Sequence, residues 1–438
     1  MSERTLLVSL NNGPVGTLRD ENGIWSFKYD SNWLNDQQHF GLSPSLPLQQ
    51  APLLDLSSKR PVQWYFDNLL PEEHQRRLLA GDARIDAADA FGLLGYYGAE
   101  SAGSLTLLTA DAQNQMEDAL FPLSDVELNE RILALPRVPL THGAKKRMSL
   151  AGAQHKLAIV LQDGALFEPA GATPSTHIIK PDHPDADYPH SVINEWFVMR
   201  LAKRAGLNVP DVHHRYVPAP VYIIDRFDRV RDEHGWQRRH VIDACQLLGL
   251  DRSFKYSQGS MASLVALADQ CRGNIVARTR LFSWLVFNVL VGNTDAHLKN
   301  LSFLVSEEGI ELAPHYDILS TACYETLAYD KKSWPNLTEM AWPILGKQFI
   351  ADVDRALLIE AADALTIRKA TAERLLDKLC NHIMGKAEEI YEEFEAENAS
   401  LKQRADLTPI LAGESRCLRT IIHVVIKEVA EKLKQRSF

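Results

Sequence analysis

Apolar and polar positions change rhythm along the chain, and the change divides it. In residues 4–29, short alternating runs at 5–10, 15–18 and 24–29 are separated by turn residues, including Asn11-Asn12-Gly13. Asn and Gly tolerate positive φ, so this stretch predicts a small antiparallel sheet. Helical spacing follows over 72–80, and Gly92 to Gly98 with Gly103 predicts a tight turn and a returning strand at 104–108. A helix is expected over 125–135, then strands over 157–161 and 176–180. A helix over 191–206 has its apolar face on Val192, Trp196, Val198, Met199 and Ala202 and its stop at Gly206. The apolar strand 221–224 runs into the charged Asp225-Arg226-Phe227-Asp228-Arg229. From about residue 240 the pattern reads as helices, over 241–250, 261–269, 275–291, 353–364, 371–395 and 415–435. The expected fold is α+β, a mixed sheet region followed by a helical one. Expected boundaries are an α+β subdomain at 1–110, a helix and linker at 111–147, a sheet lobe at 148–230 and a helical lobe at 231–438.

Chemistry concentrates after the most apolar run. Gly292-Asn293-Thr294-Asp295-Ala296-His297-Leu298-Lys299-Asn300 is followed by Pro314-His315-Tyr316-Asp317. Asp295-x4-Asn300 followed by Asp317 has the spacing of a phosphoryl-transfer site, in which one Asp accepts the nucleophile's proton while Asn and a second Asp hold Mg²⁺. A competing reading joins Asp295-x-His297 and His315-x-Asp317 into a mixed metal centre for hydrolysis. A third makes them a buried polar network under a helix end. Upstream, Lys180 ends a strand and Glu195 sits in the first turn or two of a helix, either the arrangement in which a lysine meets nucleotide phosphates and a glutamate orients it, or a surface lysine and a glutamate favoured by the helix dipole. The small residues before strand 157–161, Ala151-Gly152-Ala153-Gln154-His155-Lys156, let backbone amides approach a phosphate, and Lys156 adds charge. Backbone groups at Asp225 to Phe227 are placed to meet an adenine edge. Only the phosphoryl-transfer reading uses all of these.

Composition narrows the class without changing it. The 438 residues carry a net charge of −10, which argues against a surface built to wrap nucleic acid. Cysteines at 245, 271, 323, 380 and 417 have no metal spacing and read as reduced, buried thiols. The run 281–291 is too short to predict a membrane span, no secretory signal opens the chain, and a cytoplasmic protein is expected.

The motifs together resemble the HipA-like serine/threonine kinases, toxin components of HipA/HipB-type toxin-antitoxin modules. The matching residues are Phe66-Asp67-Asn68-Leu69-Leu70-Pro71, Ser149-x-Ala151-Gly152-Ala153-Gln154-x-Lys156, Thr176-His177-Ile178-Ile179-Lys180, Asn194-Glu195, Arg226-Phe227-Asp228-Arg229, Thr294-Asp295-x-His297-x-Lys299-Asn300 and Tyr316-Asp317-Ile318. Against the family pattern, Asp225 stands where Glu is expected, His155 where Glu is usual, and Ala296 for Gly. The resemblance implies a two-lobed kinase-like fold with Asp295 as catalytic base, Asn300 and Asp317 on Mg²⁺, and Lys180 on the ATP phosphates. It makes residues 151–156 a phosphate loop, sets Asp225, Arg226 and Phe227 against adenine, and extends the ATP site to His297, Lys299 and Tyr316. Ser149 matches the serine that such kinases autophosphorylate, a modification associated with displacing the loop. A dianionic phosphate there would repel the nucleotide.

The function implied is a growth-inhibiting kinase toxin that phosphorylates a translation component such as an aminoacyl-tRNA synthetase. Its implied partner is a HipB-like DNA-binding antitoxin, through which it would meet operator DNA, and no membrane is involved. Two alternatives stand beside it: a catalytically weak kinase fold acting as corepressor scaffold, and a small-molecule phosphotransferase.

Overall fold

The computed structural model describes residues 3–11, 13–112, 117–148, 150–233 and 235–435. Two compact units divide the chain. The first holds 1–181, 223–254 and 302–313, and the second holds 182–222, 255–301 and 314–438.

In the first unit, strands Arg4–Leu10, Gly13–Glu21 and Ile24–Tyr29 form the expected antiparallel meander, joined at its edges by Leu53–Leu54 and Thr106–Leu108. Leu6 and Val8, and Trp25 and Phe27, alternate toward the core as the period of two requires, while Val15 and Leu18 stand three apart because a bulge at Val8/Ser9 shifts the register. The glycine-rich stretch expected to turn forms a helix instead, Ala90–Tyr97. Asp89 caps it by accepting from the Gly92 N–H, and five of its eight residues are buried, so packing overrides the glycines' low propensity. A second sheet is built on Leu157–Gln162, which pairs antiparallel with Ala165–Ala170 on one side and His177–Pro181 on the other. The helix expected over 241–250 begins as a strand, Val241–Asp243, which pairs with Ser302–Ser306. Only Ala244–Leu248 is helical, opened by a capping box of Asp243 and Gln246. The β-branched Val241 and Ile242 carry the short strand.

The second unit is mainly helical. The helix Ser191–Ala205 buries twelve side chains and ends on Gly206 at φ 95°, the left-handed position a glycine adopts without strain. Asn274–Val291 is long and apolar enough to span a membrane by length and composition, yet 61% of it is buried inside the protein, which makes it a core helix. Lys369–Glu397 runs for 29 residues with a buried stripe at Ala372, Leu376, Leu379, Ile383, Ala387, Ile390 and Phe394. The helix expected over 415–435 starts earlier, at Thr408, and carries a π segment over Ile421–Ile426 before Lys427–Lys434. Strands are less scarce after 240 than expected, because Glu339–Ile344 and Lys347–Phe349 add a short antiparallel pair.

All five cysteines are buried, and none forms a disulfide.

Candidate active site

The first unit contributes the loop, the lysines and the strand end. Gly152 sits at φ 104°, and the Lys156 ammonium folds back to donate to the Ala151 carbonyl at 2.7 Å, closing the loop on itself. A Cβ on Gly152 would lie 2.7 Å from that Nζ, so the closed form needs glycine. Gly152 also pairs with Pro71, and its carbonyl accepts from Glu72 N–H at 3.3 Å. Ala151, Gln154 and Lys156 are half-buried, Ala153 is exposed and His155 is buried. The register Leu157↔Ile179 puts Lys156 and Lys180, one residue beyond it on each strand, at the same end of the sheet. At the other end, Arg226 N–H donates to the Thr176 carbonyl at 2.9 Å. From Thr176 to Lys180 is four residues, roughly 13 Å of strand. Ser149 lies outside the described residues.

The strand end brings a finding about charge. Asp225 pairs with His177 Nε2 at 3.1 Å. The Arg226 guanidinium turns away into a buried cluster with Asp228, Ser175 and Glu100, so its backbone, not its side chain, is what the strand end presents. Glu100 is the hub. Lys146, Arg226, Arg229 and Arg238 all lie within 3.3 Å of its carboxylate, and every member is buried. Burial alone would raise the Glu100 carboxyl, but these cations more than offset it and hold it well below the usual carboxylate range. The excess positive charge faces backbone carbonyls of Gly103, Ala172, Thr173 and Ser175. Glu100 also bridges to Met148, so the cluster anchors the chain just ahead of the loop.

The second unit contributes the acid–amide group. The core helix ends at Gly292, φ 63°, where a Cβ would come within 2.7 Å of the Ala322 Cβ and 2.8 Å of Val425 Cγ1. The chain then turns through a ladder of neutral bonds. Asn293 Nδ2 donates to Asn288 Oδ1 at 2.7 Å, and its own Oδ1 accepts from Asp295 N–H at 3.1 Å. Thr294 bonds Thr321, whose hydroxyl donates to Gly292 O. The Asn300 amide donates to the Asp295 carbonyl at 2.9 Å, which fixes the amide and turns Oδ1 into its acceptor end. Tyr316 OH donates to the Lys299 carbonyl at 2.9 Å, joining the segment of Asp317 to that of Asn300. Asp317 itself is half-buried at φ 59°, a left-handed conformation that Asp tolerates better than most residues. Glu195 and His297 are buried, as are Lys299 and Asn300, while Asp295 is half-buried.

Several of these contacts had no signal in the sequence. Tyr256 OH donates to Asp295 Oδ1 at 2.5 Å, from a polar loop without periodicity. Asn194, next to Glu195, clamps Ser320 through both ends of its amide at 2.9 and 2.8 Å, which ties the Glu195 helix to the segment following Asp317. Trp342 Nε1 donates to Ala296 O at 3.1 Å.

The mixed histidine–carboxylate centre does not form. Among the described residues no three His, Cys, Asp or Glu side chains gather as metal ligands. His315 is buried, stacked on Trp284, and burial with Arg280 nearby pushes its imidazole down to about 3, which keeps it neutral.

Family models give the same answer from a different side. The HipA N-terminal domain matches residues 6–108, and the HipA-like C-terminal domain matches residues 148–387. The chain belongs to the HipA-like family. It is 38% identical over 342 residues to the putative kinase Y4mE of Sinorhizobium fredii, covering 75% of this chain and 80% of that protein. Identity to the serine/threonine-protein kinase toxin HipA of Shewanella oneidensis is 32% over 335 residues, 70% of this chain and 74% of that one. A chain in the solved complex of Shewanella oneidensis HipA, HipB and operator DNA superposes with a TM-score of 0.75 at 26% identity, covering 97% of this chain and 99% of that chain. The α+β fold is therefore that of the HipA-like kinases, and the chain is an enzyme of the serine/threonine protein kinase class.

Proposed function

We propose that the chain is an ATP- and Mg²⁺-dependent toxin kinase in which Asp295 accepts the proton of a serine or threonine hydroxyl. The observation that carries this is the bond from the Asn300 amide to the Asp295 carbonyl, which ties the two residues of the motif to each other. Asn300 Oδ1 and the Asp317 carboxylate are hard oxygen donors of the kind Mg²⁺ accepts, and two protein ligands are what a site completed by water and phosphate needs. A cation there would offset charge on the triphosphate.

The chain's own residues account for the rest. As Asp295 takes the hydroxyl proton, the oxygen forms a bond to the γ-phosphorus and the bond to the β,γ-bridging oxygen breaks, with its electron pair leaving on ADP. Lys180 and Lys156, at one end of the sheet, face the phosphates with the 151–156 amides. The strand end at Asp225 to Phe227 meets adenine roughly 13 Å away along the strand. Tyr316 ties the segment of Asp317 to the base loop through the Lys299 carbonyl, and the His297 ring packs on Tyr256 beside it. Growth inhibition follows from phosphorylating a translation component such as an aminoacyl-tRNA synthetase in the cytoplasm. Ser149 is the self-modified residue, and a HipB-like antitoxin neutralises the enzyme and supplies the operator contact, in keeping with the negative net charge.

Incubation of wild type and Asp295→Asn with labelled ATP and Mg²⁺, followed by mass spectrometry, tests this. We expect label on Ser149 in the wild type and a loss of about 10³-fold in the variant, within the range for removing a general base. Asp317→Ala is expected to abolish toxicity while the fold, read by circular dichroism, is kept. Labelling equal in both proteins would remove Asp295 from the mechanism. Toxicity unchanged in both variants would favour the scaffold.

A further inference from the structure

We infer that Tyr256 is the positioning residue of Asp295, holding one carboxylate oxygen so that the other faces the substrate hydroxyl. The inference rests on the proposed role of Asp295 as proton acceptor and adds to it a residue from outside the motif.

Its basis is geometric. The Tyr256 hydroxyl donates to Asp295 Oδ1 at 2.5 Å, a short bond of the kind formed when the acceptor is an ionised carboxylate. A carboxylate has two oxygens, and fixing one sets the direction of the other. The phenol ring is itself held. The His297 ring meets it edge-on at 5.0 Å and 81°, and the Lys255 ammonium lies 5.1 Å from its centroid. The backbone beside it is also tied to the base loop, because Leu298 N–H donates to the Lys255 carbonyl at 3.1 Å. Three residues on, the turn closes with Gly259 N–H on the Tyr256 carbonyl at 2.9 Å, and Gly259 packs so closely on Trp342 that a Cβ would lie 2.6 Å from its ring. Trp342 then bonds Ala296 O. The base loop is thus gripped at Asp295, Ala296 and Leu298 by one short stretch and its tryptophan.

The phenol remains 40% exposed, so burial does not dictate a tyrosine here. A solvated hydroxyl would serve stability equally well, and its direction toward Asp295 is the feature to explain. Misplacement of a reacting group by about 1 Å can cost on the order of a hundredfold in rate. A hydrogen bond that fixes the carboxylate therefore acts on turnover and leaves nucleotide binding alone.

The test uses the full chain and compares Tyr256→Phe, Asp295→Asn and the double variant with wild type. Label transferred from ATP to the protein is followed in single turnovers over a range of ATP concentrations. Phenylalanine keeps the ring contacts with His297 and Lys255 and removes only the donor. We expect Tyr256→Phe to lower the maximal rate about ten- to hundredfold, the usual cost of losing such a supporting contact, with the ATP dependence and the melting temperature unchanged. In the Asp295→Asn background the same substitution should cost nothing more, since a residue acting through Asp295 has nothing left to act through. Full activity of Tyr256→Phe beside an inactive Asp295→Asn would overturn the inference and leave the base assignment standing. A further loss in the double variant, or a shifted ATP dependence, would make the tyrosine a structural or nucleotide contact and overturn it as well. Asp295→Asn with wild-type rate would overturn both.

Discussion

The chain just ahead of the loop 151–156 is anchored at Met148 by a set of ionised side chains, whereas the loop 292–300 is held by amides and hydroxyls. Glu100 collects four cations in the first unit, and the Asn293, Thr294 and Thr321 ladder in the second carries no charge at all. One buried glutamate of the second unit, Glu414, is shifted toward its neutral form. Burial raises Glu414 to about 8, with Tyr216 OH donating to Oε2 at 2.6 Å and so opposing part of the rise, and with Asp182 nearby adding to it. The contrast is physical. Paired charges anchor one loop from the segment ahead of it, because a buried carboxylate ringed by cations holds its neighbours in fixed places. A loop that must keep one carboxylate as a base is better framed by neutral groups that fix geometry without competing for its proton.

Breaking the charged frame should have the largest effect on stability. Glu100→Ala leaves Lys146, Arg226, Arg229 and Arg238 buried around an empty centre, and we expect a loss of about 3–5 kcal/mol in urea unfolding. A loss under 1 kcal/mol would mean that water reaches the cluster and the charged frame is only nominal. Next, Gly292→Ala forces a left-handed alanine and pushes its Cβ against Ala322 and Val425. We expect about 2–3 kcal/mol of destabilisation from strain and overpacking together, seen as a lower melting temperature.

The smallest effect is a slope. Because the Glu414 pKa in the folded chain, about 8, lies above the ordinary 4.5, folding takes up a proton between those values. The stability tied to the neutral carboxyl is complete below about pH 4 and is lost as pH rises through about 8. Glu414→Gln should flatten that decline, by on the order of 1 kcal/mol per pH unit within the window. Urea midpoints for both proteins at pH 6 and 8 decide it, and parallel declines would show that Glu414 is ionised after all.

Legibility in the sequence followed how local each signal is. The helices 191–205 and 274–291 were readable because their apolar stripes and terminal glycines lie within the element itself. Asp295, Asn300 and Asp317 stood out because they fall within one short segment, where the structure links Asn300 to the Asp295 carbonyl. Glu100 was not, since it is a single acid in a glycine-rich stretch and one of its cations stands 138 residues away. Tyr256 was missed for a similar reason, as its partner lies 39 residues on and the loop around it has no period. The helix Ala90–Tyr97 was mistaken for a turn because glycine propensity is local, while the burial that overrides it is not. Strands Val241–Asp243 and Ser302–Ser306 exist only as each other's partners, so neither segment alone announces itself.

The chain leaves and re-enters each unit repeatedly, after residues 181, 222, 254, 301 and 313. A ribosome making this protein has therefore finished neither unit until it has passed residue 313, and Asp317 is added only after that. Termination before residue 313 therefore leaves both units without some of their segments. Such interleaving ties the assembly of each unit to synthesis of the chain as far as residue 313.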